Sequence, residues 1–195
     1  MKNALILHGT DADHTANWFP WLDRELTSLG YKVWTPDLPD ADKPSIEKYN
    51  NFLLNHRVQA GDWGMSWQFN NESIIIGHSS GAVEILGLLN DPKFPKDIKV
   101  RACFLVGAFK GSLGWDSLTG MIADFNYDLI KSKSQKLVFI HSNDDPHCPI
   151  DDARDLCITV DGKFIELKDM GHFSGNEYKL SGFPKLLEII KEETQ

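Results

Sequence analysis

Apolar residues follow two patterns that alternate along the chain. Short runs at 4–7, 31–34, 73–76, 100–106, 136–140 and 163–167 are largely apolar and rich in β-branched side chains, and polar residues, Gly or Pro bound them. Runs that are apolar on both faces read as strands of a parallel sheet covered on both sides. Between them the spacing becomes helical. Trp18, Trp21, Leu22, Leu26 and Leu29 share one helix face, with Asn17 placed to cap it and Gly30 to end it. Ser45 precedes a second helical set of Ile46, Tyr49, Phe52 and Leu53. The stretch 82–89 is almost wholly apolar and reads as a central buried helix. Residues 151–157 give a further short helix, and Phe183, Leu186, Leu187 and Ile190 an amphipathic closing one.

Strands alternating with helices predict a three-layer α/β fold, a mostly parallel six-stranded sheet with helices on both faces. Two segments break the alternation: 59–71, with Trp63 and Trp67, and 110–131, with Trp115. Both are expected as irregular or partly helical excursions near the carboxyl edge of the sheet, where open α/β sheets bind ligands. At 195 residues the chain is expected to form a single domain, 1–195, with little length left for a lid.

Composition narrows the classes. Lys+Arg 20 against Asp+Glu 28 leaves a net charge of −8, which argues against a nucleic-acid binder. No apolar run approaches a membrane span or a signal-peptide core, so the expected compartment is the cytoplasm. The three cysteines, Cys103, Cys148 and Cys157, show no CxxC spacing, and no two histidines pair at i, i+4. Neither a disulfide framework nor a metal site is expected.

The chemistry concentrates at Gly77-His78-Ser79-Ser80-Gly81. A β-branched run ends at Gly77 and an apolar helix follows, the strand–turn–helix setting of a nucleophile elbow with Ser79 at its tip. The flanking glycines fit a turn in which strand and helix backbones come too close for a Cβ. A serine hydroxyl needs an adjacent base, and this elbow predicts the order Ser, acid, His. The run 137–140 leads into Asp144-Asp145-Pro146, and the run 164–167 leads into Gly171-His172-Phe173. Acid and base thus follow successive strands. His172 is the expected base. Hydrolases of this fold commonly place the acid four residues before a proline, which favours Asp145 (Pro149) and leaves Asp144 as the alternative, capping the turn. The backbone amides of Ser80 and of Thr10, in the His8-Gly9-Thr10 loop after the first strand, are the expected oxyanion donors. His8, Trp18, Phe19, Trp115 and Phe173 are candidate pocket residues.

These blocks together, 5–9, 75–82, 142–146 and 171–173, resemble the small serine hydrolases related to retinoblastoma-binding protein 9 across nearly the whole chain. The resemblance implies a compact α/β-hydrolase fold without a large lid, and a triad at Ser79, Asp145 and His172. The vertebrate member's Leu-x-Cys-x-Glu motif for pocket-protein binding is absent here, so that partner is not expected. The segment 59–71 is also longer than the usual family connection. The leading expectation is an esterase-like hydrolase of a small acyl substrate, using no cofactor. A thioesterase or acyltransferase on the same site and a non-catalytic scaffold on this fold are the alternatives. A nucleotide-binding flavodoxin-like domain is disfavoured: the loop 8–13 offers one glycine and two acids where phosphate would sit. Oligomeric state is left open.

Overall fold

The computed structural model describes residues 1–55, 67–175, 178 and 181–195. Among these, six strands form one all-parallel sheet: β1 (Asn3–Leu7), β2 (Lys32–Trp34), β3 (Ile74–His78), β4 (Ala102–Val106), β5 (Leu137–Ser142) and β6 (Lys163–Leu167). The helices are α1 (Phe19–Ser28), α2 (Ile46–Asn55), α3 (Ser80–Asn90), α4 (Tyr127–Lys133), α5 (Ile150–Thr159) and α6 (Pro184–Glu193), with a 3-10 turn at Asp116–Met121. No helix among the described residues is long and apolar enough to cross a membrane.

Strand alternation splits the apolar interior in two. Leu5, Leu7, Ile75, Leu105 and Phe139 face one side, where Leu53 of α2, Leu86 of α3, Ile130 of α4 and Leu156 of α5 cover them. Ala4, Ile6, Ile76, Phe104 and Ile140 face the other, against Leu22 and Leu26 of α1 and Leu186 and Ile190 of α6. This is the expected three-layer arrangement. It also explains why the inner strands β1, β3, β4 and β5 are buried at every position: each residue meets a helix layer on its own side.

The strand order is β2-β1-β3-β4-β5-β6. The chain leaves β1 in one direction to build β2 and in the other to build β3 onward. That reversal opens a crevice at the carboxyl ends of β1 and β3. Everything discussed below lies along this edge.

Local signals explain most boundaries. α1 ends in a Schellman turn, with Gly30 N–H on Thr27 C=O and Tyr31 N–H on Leu26 C=O, both 3.0 Å, and Gly30 at φ +82°. Ser45 Oγ accepts from the Lys48 amide at the start of α2. Asn17 departs from expectation. α1 begins one residue later, and the Asn17 side chain instead accepts a hydrogen bond from the Gly175 amide at 3.1 Å. Pro20 in the first turn brings no N–H that needs a cap.

The two excursions behave differently. Segment 110–131 is partly helical, as expected, containing the 3-10 turn and most of α4, which Asn126 caps through Leu129 N–H. Of segment 59–71, residues 59–66 lie outside the described residues. The remainder runs along the amino edge of the sheet, not the carboxyl edge. Trp67 is buried there and donates its indole N–H to Ala4 C=O and Lys32 C=O. A parallel crossover must re-enter at the amino edge, so the last residues before β3 are drawn to it.

The β3–α3 junction is the tightest backbone crossing. A Cβ on Gly77 would lie 2.2 Å from Gly81 O, and one on Gly81 would lie 2.5 Å from both Leu7 O and His8 O. Backbone cannot yield as a side chain can. Gly77→Ala and Gly81→Ala are each expected to destabilise the protein by about 3 kcal/mol or more, the upper end of overpacking costs, in urea unfolding. A loss below about 1 kcal/mol would contradict the crossing.

Candidate active site

Ser79 occupies the turn between β3 and α3 with φ 56° and ψ −121°. Such a conformation costs a non-glycine residue about 1–3 kcal/mol and persists only where the surroundings impose it. They do so here. The Ser79 amide donates to Val106 C=O at 2.9 Å, α3 starts at the next residue, and the Gly77 and Gly81 backbones close beneath. The residue is half-buried, and its side chain lies beside that of Cys148.

Asp145 and His172 meet across the loops after β5 and β6. His172 Nδ1 lies 2.8 Å from Asp145 Oδ2, and the two side chains are 12% and 1% exposed. The other carboxylate oxygen accepts from the His147 and Cys148 amides, both at 2.9 Å. Burial alone would raise the Asp145 pKa. The hydrogen bonds from His172 and from the two amides outweigh it and hold the group below the ordinary carboxylate range. Asp145 is therefore ionised at neutral pH and accepts the Nδ1–H of His172, which leaves Nε2 as the ring nitrogen turned away from the acid.

Asp144 is engaged elsewhere. It accepts from Ser142 Oγ and from the Gly171 amide at 2.9 Å. Ser142 Oγ also accepts from the Met170 amide, and Asn143 Oδ1 from the Asp169 amide. Three consecutive residues from the end of β5 onward thus staple the loop after β6, which sets where His172 stands.

His78, inside the elbow motif, holds the His172 backbone from below. Its Nε2 donates to His172 C=O at 2.7 Å, and the two rings lie 4.7 Å apart. Burial, with the neighbouring His172 ring, pushes its pKa down to about 3, so it stays neutral. His141, at the end of β5, is also fully buried and donates through Nε2 to Cys148 C=O at 2.9 Å. Its pKa is lowered, chiefly by burial. Gly107, after β4 at φ +63°, lets the pair approach: a Cβ there would come 3.3 Å from His172 Cε1 and 3.7 Å from Asp145 Oδ2. The roles of His78, His141, Gly107 and Cys148 escaped sequence reasoning. A glycine directly after an apolar strand and a histidine inside the elbow motif were the available signals.

The first-strand loop reaches the same crevice. Thr10 Oγ1 donates to Ser80 Oγ at 3.0 Å, tying that loop to the start of α3. As the first residue of α3, Ser80 has an amide with no acceptor inside the helix. His8, an expected pocket residue, is 1% exposed and spends both nitrogens on the backbone: Nδ1 on Gly9 C=O, Nε2 accepting from Leu38 N–H, both 2.8 Å. Burial lowers its pKa, and it braces the loop without facing a substrate. Trp18, Phe19 and Phe173, also expected there, have no exposed surface. Trp18 donates its indole N–H to Phe173 C=O at 3.0 Å, and Phe173 stacks on Phe183. These aromatics belong to the interior behind the site, where their area is worth most. Trp115 is different: half-exposed, with its ring 6.2 Å from His147, which is itself 5.2 Å from His172.

A strained serine between strand and helix, with an ionised carboxylate and a histidine at neighbouring strand ends of an all-parallel sheet, defines an α/β hydrolase. The serine hydrolase family model matches residues 4–191, and the chain belongs to that family. Among its relatives is the rat serine hydrolase RBBP9, 24% identical over 194 residues, covering 96% of this chain and 93% of the relative. YdeN of Bacillus subtilis (strain 168), a candidate hydrolase by its name, is 26% identical over 179 residues, covering 90% and 88%. The crystal structure of the B. subtilis ydeN product superposes with a TM-score of 0.83 at 23% identity, covering 99% of this chain and 98% of that one. Est1E of Butyrivibrio proteoclasticus shares the fold at a TM-score of 0.70 and 13% identity, covering 98% and 88%.

The buried neutral histidines predict acid sensitivity. His78 titrates near 6.5 when unfolded and near 3 when folded. Between those values the unfolded chain binds the extra proton, so stability falls as pH drops through this window. His8 and His141, also lowered, act in the same direction. Urea unfolding at pH 7.5 and 5.0 is expected to show stability falling with acid by about 1.4 kcal/mol per pH unit for each fully shifted histidine. In His78→Gln the slope should drop by about one proton. A pH-independent stability would contradict the assignment.

Proposed function

We propose that this serine hydrolase cleaves the ester of a small acyl group through an acyl-enzyme on Ser79, with His172 as base and Asp145 as its orienting acid. The 2.8 Å contact between His172 and a buried, ionised Asp145, on the same sheet edge as the strained Ser79, carries the reading.

In this reading His172 Nε2 takes the Ser79 proton as Oγ forms a bond to the substrate carbonyl carbon. The amides of Thr10 and Ser80 hydrogen-bond the oxyanion, and the α3 N-terminus adds its positive end. The tetrahedral intermediate collapses and His172 returns the proton to the departing alcohol. Water then repeats the sequence and frees the acid. Asp145 stabilises the imidazolium without taking its proton. An alcohol leaves more readily than an amine, which favours an ester.

A fluorophosphonate probe is expected to add one equivalent to the intact protein, on Ser79, and nothing to Ser79→Ala. Wild-type protein that stays unlabelled would overturn the reading. Asp145→Asn is expected to lower kcat by about 10³–10⁴-fold, as loss of an orienting acid does elsewhere. Asp144→Asn removes only a loop staple and should stay within about tenfold of wild type, the smaller effect expected of a supporting partner. The reverse order would move the acid to Asp144. Rates on short and long acyl esters and on matched acyl thioesters identify the preferred leaving group.

A further inference from the structure

Three side chains of different ligand chemistry converge at the carboxyl ends of β5 and β6. One carboxylate oxygen of Asp145, the Cys148 sulfur and one ring nitrogen of His172 lie within 4.8 Å of one another. Asp145 and Cys148 stand three apart in the loop after β5, while His172 comes from the loop after β6, so no linear spacing reveals the set. Cys148 is buried, and the hydrolytic cycle above makes no use of its thiol. A thiol here adds a sulfur to an imidazole and a carboxylate, and Zn²⁺ takes all three ligand types.

We propose that Asp145, Cys148 and His172 form an inhibitory zinc site, and that a Zn²⁺ ion held there shuts the hydrolase off. Zinc–ligand bonds of about 2.0–2.3 Å place tetrahedral ligand atoms about 3.5 Å apart, so the three atoms must close by little more than about 1 Å. The Cys148 thiol loses its proton to solvent and the thiolate sulfur binds the ion. No electron changes hands, since Zn²⁺ has no redox chemistry here. The fourth position is left to water or to the hydroxyl of Ser79, which neighbours Cys148. A neutral imidazole has one lone pair. Given to zinc, it is lost to the Ser79 proton, and Asp145 can no longer serve His172 alone. The His172 side chain is 12% exposed, so the ion enters by the side open to substrate.

Binding stands on this geometry. Its inhibitory consequence rests on the reading of Ser79, His172 and Asp145 as the catalytic set. A second grouping, Asp13, His14 and Asp37, also has its ligand atoms within 4.8 Å of one another, but all three residues are exposed and none is a thiol. It serves as the internal control.

The test is calorimetric titration of the full chain with ZnCl₂, in wild type, Cys148→Ser and His14→Ala. Wild type and His14→Ala are expected to bind with the same affinity, and Cys148→Ser at least about tenfold more weakly for loss of a direct metal bond. Co²⁺ added to wild type should give a thiolate-to-cobalt charge-transfer band in the near ultraviolet, a readout that depends on no variant. The zinc midpoint for inhibition of ester hydrolysis should match the binding midpoint. Equal binding by Cys148→Ser, loss of binding only in His14→Ala, absence of the thiolate band, or full activity of the zinc-bound protein would overturn the proposal. A protein that binds zinc through Cys148 yet never hydrolyses an ester would sink the hydrolase reading and leave the metal site standing. An active esterase that binds no zinc would do the reverse.

Discussion

The backbone crossing at the β3–α3 junction is the constraint on which the rest of this structure depends. Gly77 and Gly81 allow strand, helix and the end of β1 to meet without side chains between them. That contact forces Ser79 into a left-handed conformation and lifts it to the sheet edge. It also begins α3 at Ser80, so a helix N-terminus opens beside the serine. The buried face of α3 then fixes its direction through the core.

A second layer of organisation lies in the loops after β5 and β6. Their relative position comes from polar staples: Ser142, Asn143 and Asp144 on the backbone of 169–171, and Asp145 on His172. Beneath them, His78 and His141 each donate one ring N–H to a backbone carbonyl of the site. Both rings are kept neutral by burial. A charged ring in either place would compete with His172 for the field of Asp145. The site is thus rigid through hydrogen bonds whose donors titrate, which couples its integrity to pH.

How far the sequence revealed this follows from the range of each signal. The strands were legible because a doubly covered parallel strand is apolar at every position, as at Ile74, Ile75 and Ile76. The positions of Ser79, Asp145 and His172 were legible because each follows its own strand, and parallel strands bring their ends to one edge. Gly30 was legible because a Schellman turn is local. What failed was tertiary. An aromatic beside a motif reads the same whether it faces substrate or core, and Trp18, Phe19 and Phe173 face core. His8 read as a pocket residue because nothing local shows that Leu38 N–H takes its second nitrogen. Asn17 read as a cap, although its partner, Gly175, is 158 residues away. Cys148 carried no local signal; only the fold sets it beside Ser79, Asp145 and His172.

The proximity of Cys148 to Ser79 makes the identity of the nucleophile the sharpest question for this account. Wild-type protein mixed with an activated short-chain ester, quenched in acid within the first turnover and mapped by peptide mass, answers it. The account predicts one acyl group on the peptide carrying residues 77–81, at Ser79. Acyl transfer to Cys148 or His172, or turnover with Ser79 never modified, would contradict it.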